Sequence, residues 1–346
     1  VVNENKIPPI RARKLSTKAF LLTQLRSEPG KSLSGALLAQ RALLSRVAIW
    51  KAAEGLQSLG YPLRVDERGY CLDETEDDFL YPWEFGEREK CFYHYVQTDS
   101  TMNRARELAQ RGINGGSVVV AESQSAGRGR AGRPWESQRG GLFCTFIERP
   151  LLSILDYPSV SMAMQIAVAE ALEVLLSREV HVRWPNDVYV GDRKIAGILT
   201  ELYGEGDHIG WILLGVGINV QNEVEDPRGV SCRDLGGNGL SRRIVLNGVL
   251  GEWEKIQKAK VTAREIAALW NQKSDLRGKR VVAVPADHGR YGDQDRAPPI
   301  NEGVFLGVDS RGRAVLRLKK TVERYAPGSL SLQRLQHKGT SKNFSF

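Results

Sequence analysis

The sequence predicts an α+β chain of several domains: a winged helix-turn-helix at the N-terminus, a central mixed sheet with helices, and a small β-barrel at the C-terminus. Residues 15–60 read as helices and are followed by two short strands around a polar turn. Residues 91–275 alternate strand-like runs with long helical patterns. From 280 onward short strands recur with turns such as SRGR between them. At 346 residues the chain exceeds one small core. The expected organisation is a flexible arm (1–14), the winged helix-turn-helix (15–73), an acidic linker (74–90), a central domain (91–275), the barrel (276–336) and a disordered tail (337–346).

Each element has a local reason. LSTKAFLLTQLRSE spaces Leu15, Phe20, Leu22 and Leu25 as a helix does. SGALLAQRALLSRVAIWKAAEGLQSLG reads as two helices with a break near Leu43–Leu44, and Ser45 suits the N-cap of the second. On that helix Ile49, Ala52, Ala53 and Leu56 share one face, with Arg46, Trp50, Lys51 and Glu54 elsewhere. YPLRVDERGYCL forms the wing. In the central domain, 100–111 is a helix ended by Gly112. GGSVVVAE and GLFCTFIERP are strands, and a long helix follows Pro158. VHVRWPNDVYV and KIAGILTELYG pair around a GDR turn, and WILLGVGINV is a buried strand. Helical patterns cover roughly 242–258 and 262–272. RVVAVP, GVFLGVD, AVLRLK and SLSLQ are the barrel strands, interrupted by a long polar loop over 285–302.

Composition bounds the function. Apolar residues are 41% and charged residues 26%, so folded cores are expected. The net charge of +8 admits a polyanionic partner without demonstrating one. Cys71, Cys91, Cys144 and Cys232 form no C-x-x-C pair, which disfavours a zinc knuckle and fits a reducing cytosol. VVNENKIPPIRARK lacks an apolar signal core, and no run approaches the ~20 apolar residues of a membrane span. The expectation is a cytoplasmic protein with no membrane partner.

Four stretches carry chemistry. SQSAGRGRAGRPWES (123–137) places glycines between Arg128, Arg130 and Arg133. Glycines let backbone N–H groups approach an anion, and arginines add forked donors. Composition alone leaves a ligand loop and a solvated or nucleic-acid-binding basic loop equally open. The pattern is neither a P-loop nor a dinucleotide fingerprint, since no G-K-[ST] follows. RWPNDVYVGDRKIAG (183–197) puts Pro185 inside a strand pattern, marking an edge or a bulge. Asn186 and Asp187 would project there, with Lys194 on the neighbouring strand; spacing alone favours the plainer reading, a cross-strand Asp187–Lys194 ion pair. Trp184 reads as packing. GVGINV (215–220) suits a close-packed ligand floor, although taken alone it is better read as a buried strand end. QTDSTMNRA (97–105) offers a helix cap or hydroxyls for a polar ligand.

Together, in this order and at these separations, the four stretches resemble biotin protein ligase of the bifunctional type, which also carries an N-terminal repressor domain. The likeness covers about residues 15–335. SG…LA…LSRVAIWK…LGY…GYCL matches that family's winged helix, ESQSAGRGRAGRPW its adenylate-ordering loop, RWPNDVYVGDRKIAGILTE and GVGINV its core strands, and GVFLGVDSRGRAVLRL…YAPGSLSL its C-terminal domain. The resemblance implies a central domain like that of class II aminoacyl-tRNA synthetases and an SH3-like C-terminal barrel. It implies that biotin's carboxylate attacks the α-phosphate of ATP, that Mg²⁺ comes with the ATP and not at a dedicated protein site, and that a lysine of a biotin carboxyl carrier protein then takes the biotin. Arg128, Arg130, Lys194 and Asp187 are the implied catalytic set. Ser100, Thr101 and Gln124 would contact biotin's ureido end, with Met102, Gly129, Gly197 and the Arg128–Arg130 backbone lining the rest. Arg133, Trp135, Asn186 and Asn219 join Arg128, Arg130 and Lys194 around the adenylate. Ser45, Arg46, Trp50 and Lys51 would face operator DNA, and the adenylate-bound form would be a homodimer. Against the family pattern, Met102 stands where some relatives have Asn, Ala131 replaces an arginine, and Leu43 takes the place of a turn glycine. The competing expectations are a lipoate-type ligase and a ligand-sensing repressor without transfer.

Overall fold

The computed structural model describes residues 15–73, 78–150, 156–205, 208–285 and 300–335. The expected arm and tail, part of the linker and most of the 285–302 loop lie outside the described residues. The chain divides into two compact units, Val1–His94 and Tyr95–Phe346.

In the first unit, α1 (Thr17–Ser27), α2 (Gly35–Ala42) and α3 (Arg46–Gln57) each begin on a serine whose hydroxyl accepts a backbone N–H three residues on. Each cap satisfies one orphan donor, an effect of about 1 kcal/mol. The expected break falls at Leu43, which adopts φ 53°. Ile49, Ala52, Ala53 and Leu56 point inward as their spacing requires, onto Leu21, Leu22, Leu25 and Leu38. The strands expected to form a wing are β1 (Leu63–Asp66) and β2 (Gly69–Leu72), paired antiparallel as a hairpin. The acidic stretch expected as a linker is ordered where it is described. Phe79 stacks on Tyr61 at 4.1 Å, Tyr81 stacks on Trp83 at 4.9 Å, and Glu84 accepts from Tyr61 and Arg26. Its aromatic residues bury themselves on the helical core, a tendency the acidic composition concealed.

Gly69 joins this hairpin to that core. Its φ of 136° disfavours side chains, and a Cβ there would lie 2.1 Å from the carbonyl oxygen of Leu33. Leu33 and Tyr70 exchange two backbone hydrogen bonds at the same place. Gly69→Ala is therefore expected to cost the first unit about 3 kcal/mol. Hydrogen exchange should show lost protection over 16–72 with no change in the second unit; retained protection in the first would contradict this.

The strand β3 (Phe92–Tyr95) leads into the second unit. This unit is a mixed α/β fold around a sheet running β4 (Ser117–Ala121), β5 (Leu142–Glu148), β9 (His208–Ile218), β8 (Arg193–Glu205), β7 (Asp187–Val190), β6 (His181–Arg183). These pairings are antiparallel. Side chains alternate between the faces with period two. One face presents Val216, Ile198 and Thr200 to α5 (Tyr157–Leu176), where the Thr200 hydroxyl donates to Ser161. Behind α5 pack α6 (Arg242–Ala259) and α7 (Ala263–Lys273). Trp253 and Trp270 donate their buried indole N–H groups to Glu148 and Gln165. The other face presents Thr145, Gly215, Gly217 and Gly197 to α4 (Thr101–Gln110) and the Gly-Arg loop. α5 corrects one expectation: it is long and apolar enough to cross a membrane, although 67% of that apolar window is buried within the unit. It is apolar nearly all round because the sheet, α6 and α7 cover it.

The C-terminal strands form a five-stranded antiparallel sheet ordered β13 (Val322–Tyr325), β12 (Ala314–Arg317), β11 (Asn301–Val308), β10 (Arg280–Pro285), β14 (Leu330–Arg334). The strand missed by sequence, β13, reads VERY, and its alternating exposed positions give little hydrophobic signal.

Candidate active site

Lys194 reaches the site because β8 bulges. Asp187 pairs with Gly197 and Val188 with Ala196, but Tyr189 pairs with Lys194, leaving Ile195 as the extra residue. An unbroken register would set Ile195 on the face of Asp187 and Lys194 on the other. The bulge buries Ile195 and turns Lys194 toward Asp187, Nζ to Oδ1 at 2.6 Å. Pro185, expected at an edge or a bulge, occupies the turn between the edge strand β6 and β7, and the bulge lies on β8. The Lys194 backbone is fixed from outside the sheet: its N–H donates to Arg228 and its carbonyl accepts from Val230.

The floor is bare backbone. Gly197 and Gly217 are paired across β8 and β9. A Cβ on Gly217 would meet the Trp135 indole at 2.6 Å, and one on Gly197 would meet it at 3.1 Å and Lys194 Cε at 3.3 Å. A Cβ on Gly215 would meet Met102 Sδ at 2.6 Å. Lys194 Nζ stands 5.0 Å from the centre of the Trp135 ring. The Trp135 Nε1 is buried without a hydrogen-bond partner. A flat, polar-edged group therefore fits this floor.

The Gly-Arg loop closes on itself. Trp135 N donates to the Gly127 carbonyl and Gly129 N to that of Arg133. A short 3₁₀ turn follows at Arg130–Gly132, where Ala131 adopts φ 53°. Arg130 donates to Asn186 Oδ1 at 3.3 Å and to the Leu330 carbonyl at 3.4 Å. Burial holds its guanidinium below its ordinary pKa, against the attraction of Asp187. Asn186 in turn donates to the Ile198 carbonyl at 2.7 Å. Arg133 Nε donates to the Arg130 carbonyl.

A second polar group lies beside the floor. Ser100 caps α4, its hydroxyl accepting from Met102 N. Gln124 Oε1 accepts from Thr101 N at 2.8 Å and from its hydroxyl at 3.1 Å, while Gln124 Nε2 donates to Ser137. Thr145 donates to Thr101 Oγ1. Ser100 and Thr101 are almost fully buried. Sequence reasoning missed Ser137 and Thr145, though a lone hydroxyl inside the apolar run FCTFIE was a signal. The structure sets Asn219 apart. Its side chain donates to the Val230 carbonyl and accepts from Asn222, beneath the bulge.

Asn103 was also missed as a site residue. Arg128 donates to its Oδ1 at 2.5 Å, and its amide N–H₂ donates to Asp99 at 2.6 Å. Asn103, the Ser100 N–H, the Thr98 hydroxyl and Arg104 hold the Asp99 carboxyl well below the usual carboxylate range. Asp99 thereby fixes which end of the Asn103 amide faces the loop. Asn103→Ala should free Arg128 at little cost to α4, since Ala favours helix. Trypsin cleavage within 127–134 is expected to quicken several-fold at unchanged Tm; equal cleavage would contradict the latch.

Comparison with known proteins fits this geometry. The family model for the biotin/lipoate A/B protein ligase family matches residues 93–219. The biotin–[acetyl-CoA-carboxylase] ligase of Mycobacterium tuberculosis is 31% identical over 237 residues, covering 64% of this chain and 81% of that protein. This chain belongs to the biotin protein ligase family. Another relative, the bifunctional ligase/repressor BirA of Bacillus subtilis, is 29% identical and covers 90% of this chain and 97% of that protein. Among ligases of the family with solved structures, the Aquifex aeolicus biotin protein ligase in complex with biotin and ATP superposes with a TM-score of 0.58 at 27% identity, over 70% of this chain and 99% of that one.

Proposed function

We propose that this chain activates biotin with ATP to biotinoyl-5′-AMP and transfers the biotin to a lysine of a biotin carboxyl carrier protein. The observation that carries it is the Lys194–Asp187 pair beside a glycine floor, roofed by an arginine loop. In the first step a biotin carboxylate oxygen attacks the α-phosphorus and pyrophosphate leaves. Two anions must approach, and Arg128, Arg130 and Lys194 offset their repulsion. Mg²⁺ bound with ATP would offset further phosphate charge, and Asp187 is the carboxylate that suits such a hard cation. In the second step the neutral acceptor amine attacks the acyl carbon, AMP leaves with the bonding pair, and the amine loses a proton. No protein nucleophile is required. The cysteines of the second unit accord with that: burial pushes the Cys144 thiol up and holds Cys232 at about 12.

The family likeness suggests the roles. Ser100, Thr101 and Gln124 bind the ureido end of biotin after exchanging hydrogen bonds among themselves for bonds to ligand. Met102, Gly129 and Gly197 line the remainder. Trp135 leaves the floor and flanks the adenylate with Asn186, Asn219 and Arg133. The loop excludes water from the labile anhydride. In this reading the first unit is a winged helix-turn-helix whose Ser45, Arg46, Trp50 and Lys51 meet operator DNA, and the C-terminal sheet is an SH3-like barrel beside a synthetase-like central domain. The adenylate-bound chain pairs as a two-fold dimer on two half-sites and represses transcription.

ATP–pyrophosphate exchange tests the reading with biotin, with lipoate and with neither acid. Exchange with biotin alone is expected. Exchange with lipoate alone would make the chain a lipoate ligase, and none with either would leave a ligand-sensing repressor.

A further inference from the structure

The first unit exposes an apolar surface that repression by phosphate contacts alone does not explain. Leu43, Leu44, Val47 and Trp50 are 82%, 42%, 59% and 50% exposed, all within the turn and first helical turns that follow α2. On α3, Val47 and Trp50 share the outer face with Arg46, Lys51 and Glu54, opposite the buried Ile49, Ala52, Ala53 and Leu56. Leu43 holds a left-handed conformation that glycine would adopt without strain. The chain thus keeps a strained backbone and a solvent-exposed leucine at one position. A contact made outside the chain accounts for both.

Charge decides the partner. Arg46 and Lys51, both exposed, flank the apolar residues. An apolar strip between cations fits duplex DNA, where phosphates border a major groove whose apolar group is the C5-methyl of thymine. Glu54, on the same face, would be repelled by phosphate but accepts from base amino groups. We propose that Val47 and Trp50, extended by Leu43 and Leu44, recognise thymine methyl groups, so that half-sites are selected by apolar contact and not by arginine–guanine pairing. This rests on the DNA-binding reading of the first unit and adds the chemistry of its specificity.

The test uses the full chain with biotin and ATP. Duplexes enriched from a random pool are resynthesised with deoxyuridine replacing thymidine, position by position. Affinity should fall roughly fourfold for each contacted methyl removed, at constant salt dependence. Val47→Ser should weaken the thymidine duplex and leave the deoxyuridine duplex nearly unaffected. Leu43→Gly should leave the unit at least as stable while weakening the complex. Equal binding of both duplexes, or equal loss on both with Val47→Ser, would overturn the thymine inference and leave DNA binding standing. No enriched sequence would overturn the DNA reading itself. Loss of self-association without loss of DNA affinity in these variants would assign the surface to a second copy of the chain and overturn the proposal.

Discussion

Lys194→Ala is expected to lower biotin-dependent ATP–pyrophosphate exchange by about a thousandfold or more. Two effects add. The variant removes a cation aimed at the place where biotin's carboxylate and the α-phosphate must meet. It also strips Asp187 of the partner 2.6 Å away, leaving a carboxylate that repels both substrates. Lys194→Arg should not restore activity, because a guanidinium cannot reproduce the compact ammonium that packs against the Gly197 backbone beside the Trp135 ring. The pair is partly exposed, so the fold should hold, with stability changed by about 1 kcal/mol at most. Unchanged exchange in Lys194→Ala would remove Lys194 from the chemistry.

Gly217→Val is expected to abolish substrate binding in a folded protein. The position is extended strand between Phe143 on β5 and Gly197 on β8, and valine suits a strand. The conflict is with the Trp135 indole, which a Cβ would meet at 2.6 Å. The indole can move away in the free protein, but the space it leaves is the space the ligand needs. kcat/KM should fall by about a hundredfold or more with Tm nearly unchanged. Wild-type activity in the variant would show that the floor is not the binding surface.

Much of this was legible in the sequence, for reasons that differ between residues. Ser45 and the inward face of α3 followed from capping and helical spacing, and the structure has both. The Asp187–Lys194 approach followed from the hairpin, but its cause did not. A bulge at Ile195 is a register event and leaves no compositional mark. Pro185, read as an edge or a bulge, sits in the turn after the edge strand β6, while the bulge lies on β8. Asn103 escaped because its role lies in hydrogen bonds to Asp99 on one side and to Arg128, distant in sequence, on the other. Thr145 and Ser137 escaped because buried hydroxyls gain meaning only from partners brought by other elements. The linker expected over 74–90 was read by its acidity, while Phe79, Tyr81 and Trp83 decided how they pack. Asn219 was placed with the adenine contacts by family likeness; here its amide is occupied beneath the bulge, so that role requires a rearrangement.

The central claim is that one site makes the biotinoyl-adenylate and keeps it from water. It is tested most directly by incubating the chain with biotin, Mg²⁺ and ATP, removing free ligand, and analysing the protein by native mass spectrometry before and after adding a biotin carboxyl carrier domain. The account predicts a retained complex with biotinoyl-5′-AMP that discharges to the carrier lysine without further ATP. A protein that binds biotin and ATP yet retains no adenylate and biotinylates no carrier would contradict it.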